Sequence, residues 1–226
     1  MRGLGSLRQW RDFPMRVANA TGCAALVYSR YGYGQSDVLQ EPRTPSFMHD
    51  EALRSLPELL SSLRIVAPVL VGHSDGASIA LIYAGAGHLA RGLVLEAPHV
   101  FVEEHGLAGI REAKRAFETT DLSECLAKYH RDTERTFRGW NDVWLSPAFR
   151  DWTIEDCLPG VRCPVLAIQG EDDEYGTMAQ LDAIARGVSG PCDLVKLPAC
   201  GHSPHRDLPE ATLTAVTRFV NRVIAD

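Results

Sequence analysis

Five short apolar runs divide this chain and limit the folds open to it. They are CAALVYS (23–29), APVLVGH (67–73), GLVLEAP (92–98), PVLAIQG (164–170) and DLVKLPA (193–199). Each has the length of a strand, and four are close to continuously apolar. A strand with one wet face alternates apolar and polar residues, whereas a strand covered on both faces does not. The runs therefore predict a parallel sheet buried on both sides. Helical patterns lie between them. SLRQWRDFPMRVANATG carries Leu7, Trp10, Phe13 and Val17, then stops at Gly22. Leu53, Leu56, Leu60 and Leu63 recur at helical spacing, with Pro57 inside the segment set to kink it. Leu213, Val216, Val220 and Val223 form the stripe of a last helix. Strand–helix alternation gives a doubly wound α/β fold, a mostly parallel sheet flanked by helices.

The alternation stops between Val100 and Val161. REAKRAFETTDLSECLAKYHRDTERTF reads as helices and is followed by GWNDVWLSPAFRDW, with Trp140, Trp144 and Trp152. Residues 99–161 are expected to form a helical insert in a core made of 1–98 and 162–226. Extra packing is one use for it. A lid, or cap, is the favoured one, because ligands of open α/β sheets bind beyond the carboxyl ends of the strands, where such an insert sits.

Charge and cysteine usage narrow the function. A net charge of −6 without a Lys/Arg cluster argues against nucleic acid as a partner. No apolar run approaches a membrane span. MRGLGSLRQW has charges but no apolar stretch of signal-peptide type, so a cytoplasmic protein is expected. The six cysteines form no CxxC pair and no Cys/His metal spacing, which predicts free thiols; no metal is expected, and the serine chemistry described below implies no other cofactor.

Three polar clusters each follow an apolar run. In VLVGHSDGASIA, Ser74 stands at G-x-S-x-G spacing between a strand and an alanine-rich helix. So tight a turn pushes the serine toward positive φ, and Gly72 and Gly76 are expected to avoid clashes around it. The Asp75 N–H, at the helix start, then faces a developing oxyanion. GEDDEYG (170–176) supplies a carboxylate, Asp173 by preference and Asp172 as runner-up. CGHSPH (200–205) supplies His202, with His205 a weaker candidate nearer the last helix. His73 flanks the serine as a candidate substrate contact. His49, His88, His99, His105 and His130 read as surface, loop or pocket lining.

The order Ser74, Asp173, His202, each just past a buried strand, resembles that of the α/β-hydrolase superfamily. The resemblance runs from about residue 3 to the end, through GLGSLRQW, RYGYGQS, GHSDG, PVLAIQGEDD, and CGHSPH before PEA. It implies Ser74 as nucleophile, His202 as general base and then acid, and Asp173 as the carboxylate that orients it. It also implies Asp75 and Gly3 as oxyanion-hole N–H donors, and a lid where residues 99–161 fall. Two departures stand out. Ser29 and Tyr31 replace the Asp and Arg common in the D-x-R-G-x-G-x-S loop of the superfamily. Met1-Arg2 stand where H-G usually stands, and no apolar run precedes them. The first strands of that fold are therefore expected to be missing, which leaves a gap beside the strand of Ser74. A start codon placed too late is the explanation expected, with the absent strand encoded upstream.

A serine nucleophile implies cleavage of a carboxylic ester or a related acyl or carbonyl compound, a small molecule, through an acyl-enzyme. Trp140 and Trp144 are expected to line its apolar pocket. Hydrolysis of C–C bonds is an alternative within the same superfamily. A proline iminopeptidase-type peptidase is another, drawing on Glu103, Glu104, Glu118 and Glu124 for an acidic lid pocket. A pseudo-hydrolase impaired by the missing strands is the non-enzyme alternative. The chain is expected as a monomer or homodimer.

Overall fold

The computed structural model describes residues 4–225. At its centre is a parallel sheet in the order β1 (Val69–His73), β2 (Gly92–Glu96), β3 (Val165–Gly170), β4 (Cys192–Leu197). Val69 registers with Gly92, Leu93 with Val165, and Val165 with Cys192. β2 and β3 are buried along their whole length. Their alternation sends Leu93, Leu95, Val165 and Ala167 into one core and Val94, Leu166 and Ile168 into another. Neither face meets water, so every position of these runs is free to be apolar.

The main helices are α1 (Phe13–Thr21), α2 (Leu56–Ser62), α3 (Asp75–Gly85), α4 (Glu104–Thr119), α5 (Leu122–Ala127), α6 (Thr133–Trp144), α7 (Ala179–Gly187) and α8 (Pro209–Ala225). α1 and α8 pack together on one face of the sheet, with Phe13, Val216, Phe219 and Val220 against Val94, Leu166 and Ile168. α3 fills the other face and is buried from Ala77 to Ala84. The segment that leads into α2 opens into a wider turn over Glu51–Ser55, just before Pro57. Proline has no N–H to close a regular helical turn, and the wider turn absorbs the loss. The expected stripe holds only in its middle: Leu56 and Leu60 are buried, whereas Leu53, within the wider turn, and Leu63, just past the end of α2, are exposed.

Between β2 and β3 lie α4, α5, α6 and short turns, with an isolated bridge between Phe101 and Thr153. Trp144, Phe149 and Trp152 pack together there, Phe149 stacked on Trp152 and both tilted against Trp144, with ring centroids 4.8–5.9 Å apart.

One apolar run departs from expectation. Residues 23–29 are not a strand, and Ala24, Ala25 and Leu26 are exposed. A strand exists through hydrogen bonds to a neighbour, and this run has none among the described residues. No strand precedes β1 among them either. β1 is therefore an edge, and Val71 is 38% exposed where the same position type in β2 is dry.

Candidate active site

Ser74 sits where β1 ends and α3 begins, with φ of 55° and ψ of −124°. An L-residue takes this conformation only at a cost of order 1–3 kcal/mol, which the surroundings must impose. They do so through the backbone. The Ser74 N–H donates to Glu96 O at 2.9 Å, and its carbonyl accepts from Ala77 and Ser78. The chain is pinned on both sides of the serine while the side chain turns off the sheet. The two motif glycines differ. A Cβ on Gly72 would lie 2.3 Å from Gly76 O, so the turn closes only over a glycine there. A Cβ on Gly76 would meet nothing within 4 Å, contrary to the clash expected of it. Asp75 is the first residue of α3, and its N–H has no intrahelical acceptor. Its carboxylate is buried, accepts from Trp144 Nε1 at 3.3 Å, and has Arg30 Nη2 4.0 Å away. Burial raises its pKa against the pull of Arg30.

The expected acid and base meet. Asp173 follows β3, His202 follows β4, and His202 Nδ1 lies 2.8 Å from Asp173 Oδ1. Both are buried. Asp173 Oδ1 also accepts the Tyr175 N–H at 2.8 Å, and Oδ2 accepts from Gln169 Nε2 at 3.3 Å. Burial alone would raise the carboxyl's pKa. The facing His202, the Tyr175 N–H and His99 outweigh it and hold Asp173 below the usual carboxylate range. An ionised Asp173 is an acceptor for the Nδ1–H of His202, which fixes the orientation of the ring. The runner-up Asp172 is exposed. The runner-up His205 pairs instead with Glu96, Nδ1 to Oε2 at 2.7 Å.

Ser74 and His202 line one small cavity together with Leu4, His99, Ile110, Trp140, Trp144 and Tyr175. Its volume is about 10 Å³, room for roughly one water molecule. The expected Trp140 and Trp144 are thus brought to the serine, from α6. His73 is not. Its ring does not line the cavity; it lies 4.9 Å from the His202 ring, and its Nε2 donates to the His202 carbonyl at 2.6 Å. Burial, with His202 and His205 close by, lowers its pKa well below the ordinary histidine value. Gly3 lies outside the described residues.

Four contributors had little signal in the sequence. His99 closes the cavity and is pushed down to about pKa 4 by burial. The Tyr175 ring lies 4.7 Å from that of His202, tilted by 60°; its place two residues after Asp173 was the available clue. Glu174 accepts the His202 N–H at 3.2 Å. Glu96, at the end of β2, anchors His205 through side chain and backbone. Among the described residues no group of three or more His, Cys, Asp or Glu side chains is arranged to hold a metal ion. No helix among them is long and apolar enough to cross a membrane.

Comparison with known proteins extends this geometry to a family. No protein of curated function matches the sequence. Solved structures do match the fold. VinJ superposes with a TM-score of 0.71 at 23% identity, over 98% of this chain and 88% of its own. A thermophilic esterase from Thermogutta terrifontis gives 0.68 at 22% identity, over 94% and 86%. The proline iminopeptidase of Mycobacterium smegmatis gives 0.70 at 17% identity, over 99% and 89%. The sequence profile of the alpha/beta hydrolase family matches residues 3–215, nearly the whole chain. With a strained serine after β1, an acid after β3 and a histidine after β4 on one parallel sheet, this chain belongs to the alpha/beta hydrolase family.

Proposed function

We propose that Ser74, His202 and Asp173 act as nucleophile, base and orienting acid in the hydrolysis of a carboxylic ester or similar acyl compound. The buried 2.8 Å contact between Asp173 and His202, beside a serine held at positive φ, carries this reading. His202 Nε2 takes the Ser74 proton as Oγ attacks the acyl carbon. The Asp75 N–H meets the oxyanion, with Gly3 as the second donor. His202 then gives the proton to the leaving oxygen, and an acyl-Ser74 ester remains. Water, deprotonated by His202, releases the acid and restores the serine.

The apolar walls favour an acyl group over a charged one, since Leu4, Ile110, Trp140 and Trp144 surround the serine. The acidic residues weighed for a peptidase lie elsewhere. Glu103 is engaged by Thr177 and Gln180, Glu104 by Arg111, and Glu118 by Arg138; neither they nor Glu124 line the cavity. A one-water cavity admits no ester, so residues 99–161 act as a lid. Substrate enters when α4 and α6 draw Ile110, Trp140 and Trp144 back. A fluorophosphonate probe tests the reading: wild type is labelled and Ser74→Ala is not. A folded wild type that takes no label sinks it.

A further inference from the structure

His99 stands just past β2, and its backbone is tied to the core and not to the insert. Its carbonyl accepts from Ser78 Oγ of α3 at 2.6 Å. The next N–H, that of Val100, donates to Gln180 Oε1 of α7 at 2.7 Å. Ser78 and Gln180 are wholly buried. The His99 ring lies against two others, its centroid 5.2 Å from that of Trp144 and 5.7 Å from that of His202. It lines the cavity of Ser74 and is 5% exposed. When α4 and α6 draw back, Ile110, Trp140 and Trp144 leave with them, whereas His99 stays beside the serine. Its hydrogen bonding also differs from that of its neighbours. His73, His130, His202 and His205 each engage another residue through a ring nitrogen. Neither ring nitrogen of His99 has a partner among the described residues. Leaving a buried polar group unpaired is costly, and such a group on the wall of a reactive cavity calls for a ligand.

We infer that His99 is a substrate-binding residue, which hydrogen-bonds an uncharged oxygen carried by the substrate within a few bonds of the acyl carbon. The preferred substrate is therefore a hydroxy- or oxo-substituted ester and not a plain aliphatic one. Burial holds the pKa of His99 down at about 4, so the ring is neutral at neutral pH. A neutral imidazole offers one N–H donor and one bare nitrogen acceptor. A hydroxyl satisfies either, and a ketone satisfies the donor. Charged groups fit less well. No Lys, Arg, Asp or Glu lines the cavity, so a carboxylate or an ammonium would be buried there without a counter-charge. The other polar groups on the wall have their own tasks. Ser74 and His202 take part in the proposed reaction, and Trp144 Nε1 donates to Asp75. The inference deepens the function proposed above and rests on it for the place of the acyl carbon.

Its test compares kcat/KM within two pairs of esters that differ by a hydroxyl. One pair is methyl 3-hydroxybutyrate, each enantiomer, against methyl butyrate. The other is 2-hydroxyethyl butyrate against propyl butyrate. Wild type is expected to favour the hydroxylated ester of one pair by about tenfold or more. Which pair shows it tells the side of the scissile bond on which the oxygen lies. His99→Leu, of similar size and without either nitrogen, should bring that ratio below about threefold. His99→Gln, which keeps a donor and an acceptor, should restore part of it. A ratio taken within one variant is unaffected by a general loss of activity, so a merely structural role would not move it. The same pairs are then titrated by NMR against Ser74→Ala and against Ser74→Ala with His99→Leu, and the Kd ratios should follow the same pattern. Where wild type is active, the kinetic ratio decides. Where it takes no fluorophosphonate label, the proposed function fails and the Kd ratio decides. A deciding ratio near one in both pairs, or a preference that survives in His99→Leu, would overturn the inference.

Discussion

At the scale of the residue, the site is a matter of backbone conformation and burial. Ser74 at φ 55° is held against its preference by hydrogen bonds on both sides. Replacing it with glycine removes the strain, and replacing it with alanine does not. Ser74→Gly is expected to be about 1 kcal/mol more stable than Ser74→Ala in urea denaturation, with both unlabelled by a fluorophosphonate. Equal stability of the two would mean that the turn is not strained. Asp173 and Asp172 illustrate what a sequence leaves open. Both stand in GEDDEYG, and nothing in their chemistry separates them. Only the fold shows one buried against His202 and the other in solvent. Gly76 is the converse case: the motif was legible, but the reason for its second glycine was not, because that glycine opens onto a groove.

Among the elements, the loop after β4 has the most demanding task, since it carries His202. Four ties hold it: His202 N–H to Glu174, His73 to the His202 carbonyl, Gly201 N–H to Asp207, and His205 to Glu96. Glu96 is wholly buried and accepts from both the backbone N–H and the ring of His205. Glu96→Ala leaves those donors without an acceptor and is expected to cost roughly 3 kcal/mol. Glu96→Gln keeps an acceptor and should cost less than half as much. The urea midpoint at neutral pH distinguishes them, and equal losses would contradict the pairing. The sequence placed this loop correctly, because a buried run and a following helix bracket it. It did not show Glu96 beside His205, 109 positions later, since that pair exists only once the assembled sheet brings the end of β2 and the segment after β4 together across β3. Segment 23–29 fails for the same reason. Its composition is that of a strand, but a strand is defined by a partner.

For the whole molecule, buried neutral histidines set the response to acid. His99 and His130 are pushed down from 6.5 to about 4 by burial. His130 Nδ1 accepts the Gly34 N–H at 3.0 Å, a bond that protonation would break. Between about pH 6.5 and 4 the unfolded chain takes up protons that the folded chain refuses, so stability falls as the pH drops through that window. Each histidine is expected to remove roughly 2 kcal/mol by pH 5 relative to pH 7.5. The urea midpoint should fall accordingly, and His130→Gln should make it fall by markedly less. A midpoint that does not change between the two pH values would contradict the burial of these rings. The sequence by itself determined the class of fold, the run of helices between β2 and β3, and the place of Ser74, Asp173 and His202 each just past a strand. Those rest on local signals, the period of apolar residues and the turn chemistry at strand ends, which are written in consecutive residues. Tertiary structure alone decided that Asp173, the preferred carboxylate, and not Asp172 meets His202, that His73 bonds to the carbonyl of that histidine, and that β1 is an edge among the described residues. Each of those depends on distances between segments far apart in the chain, and no local pattern encodes a distance.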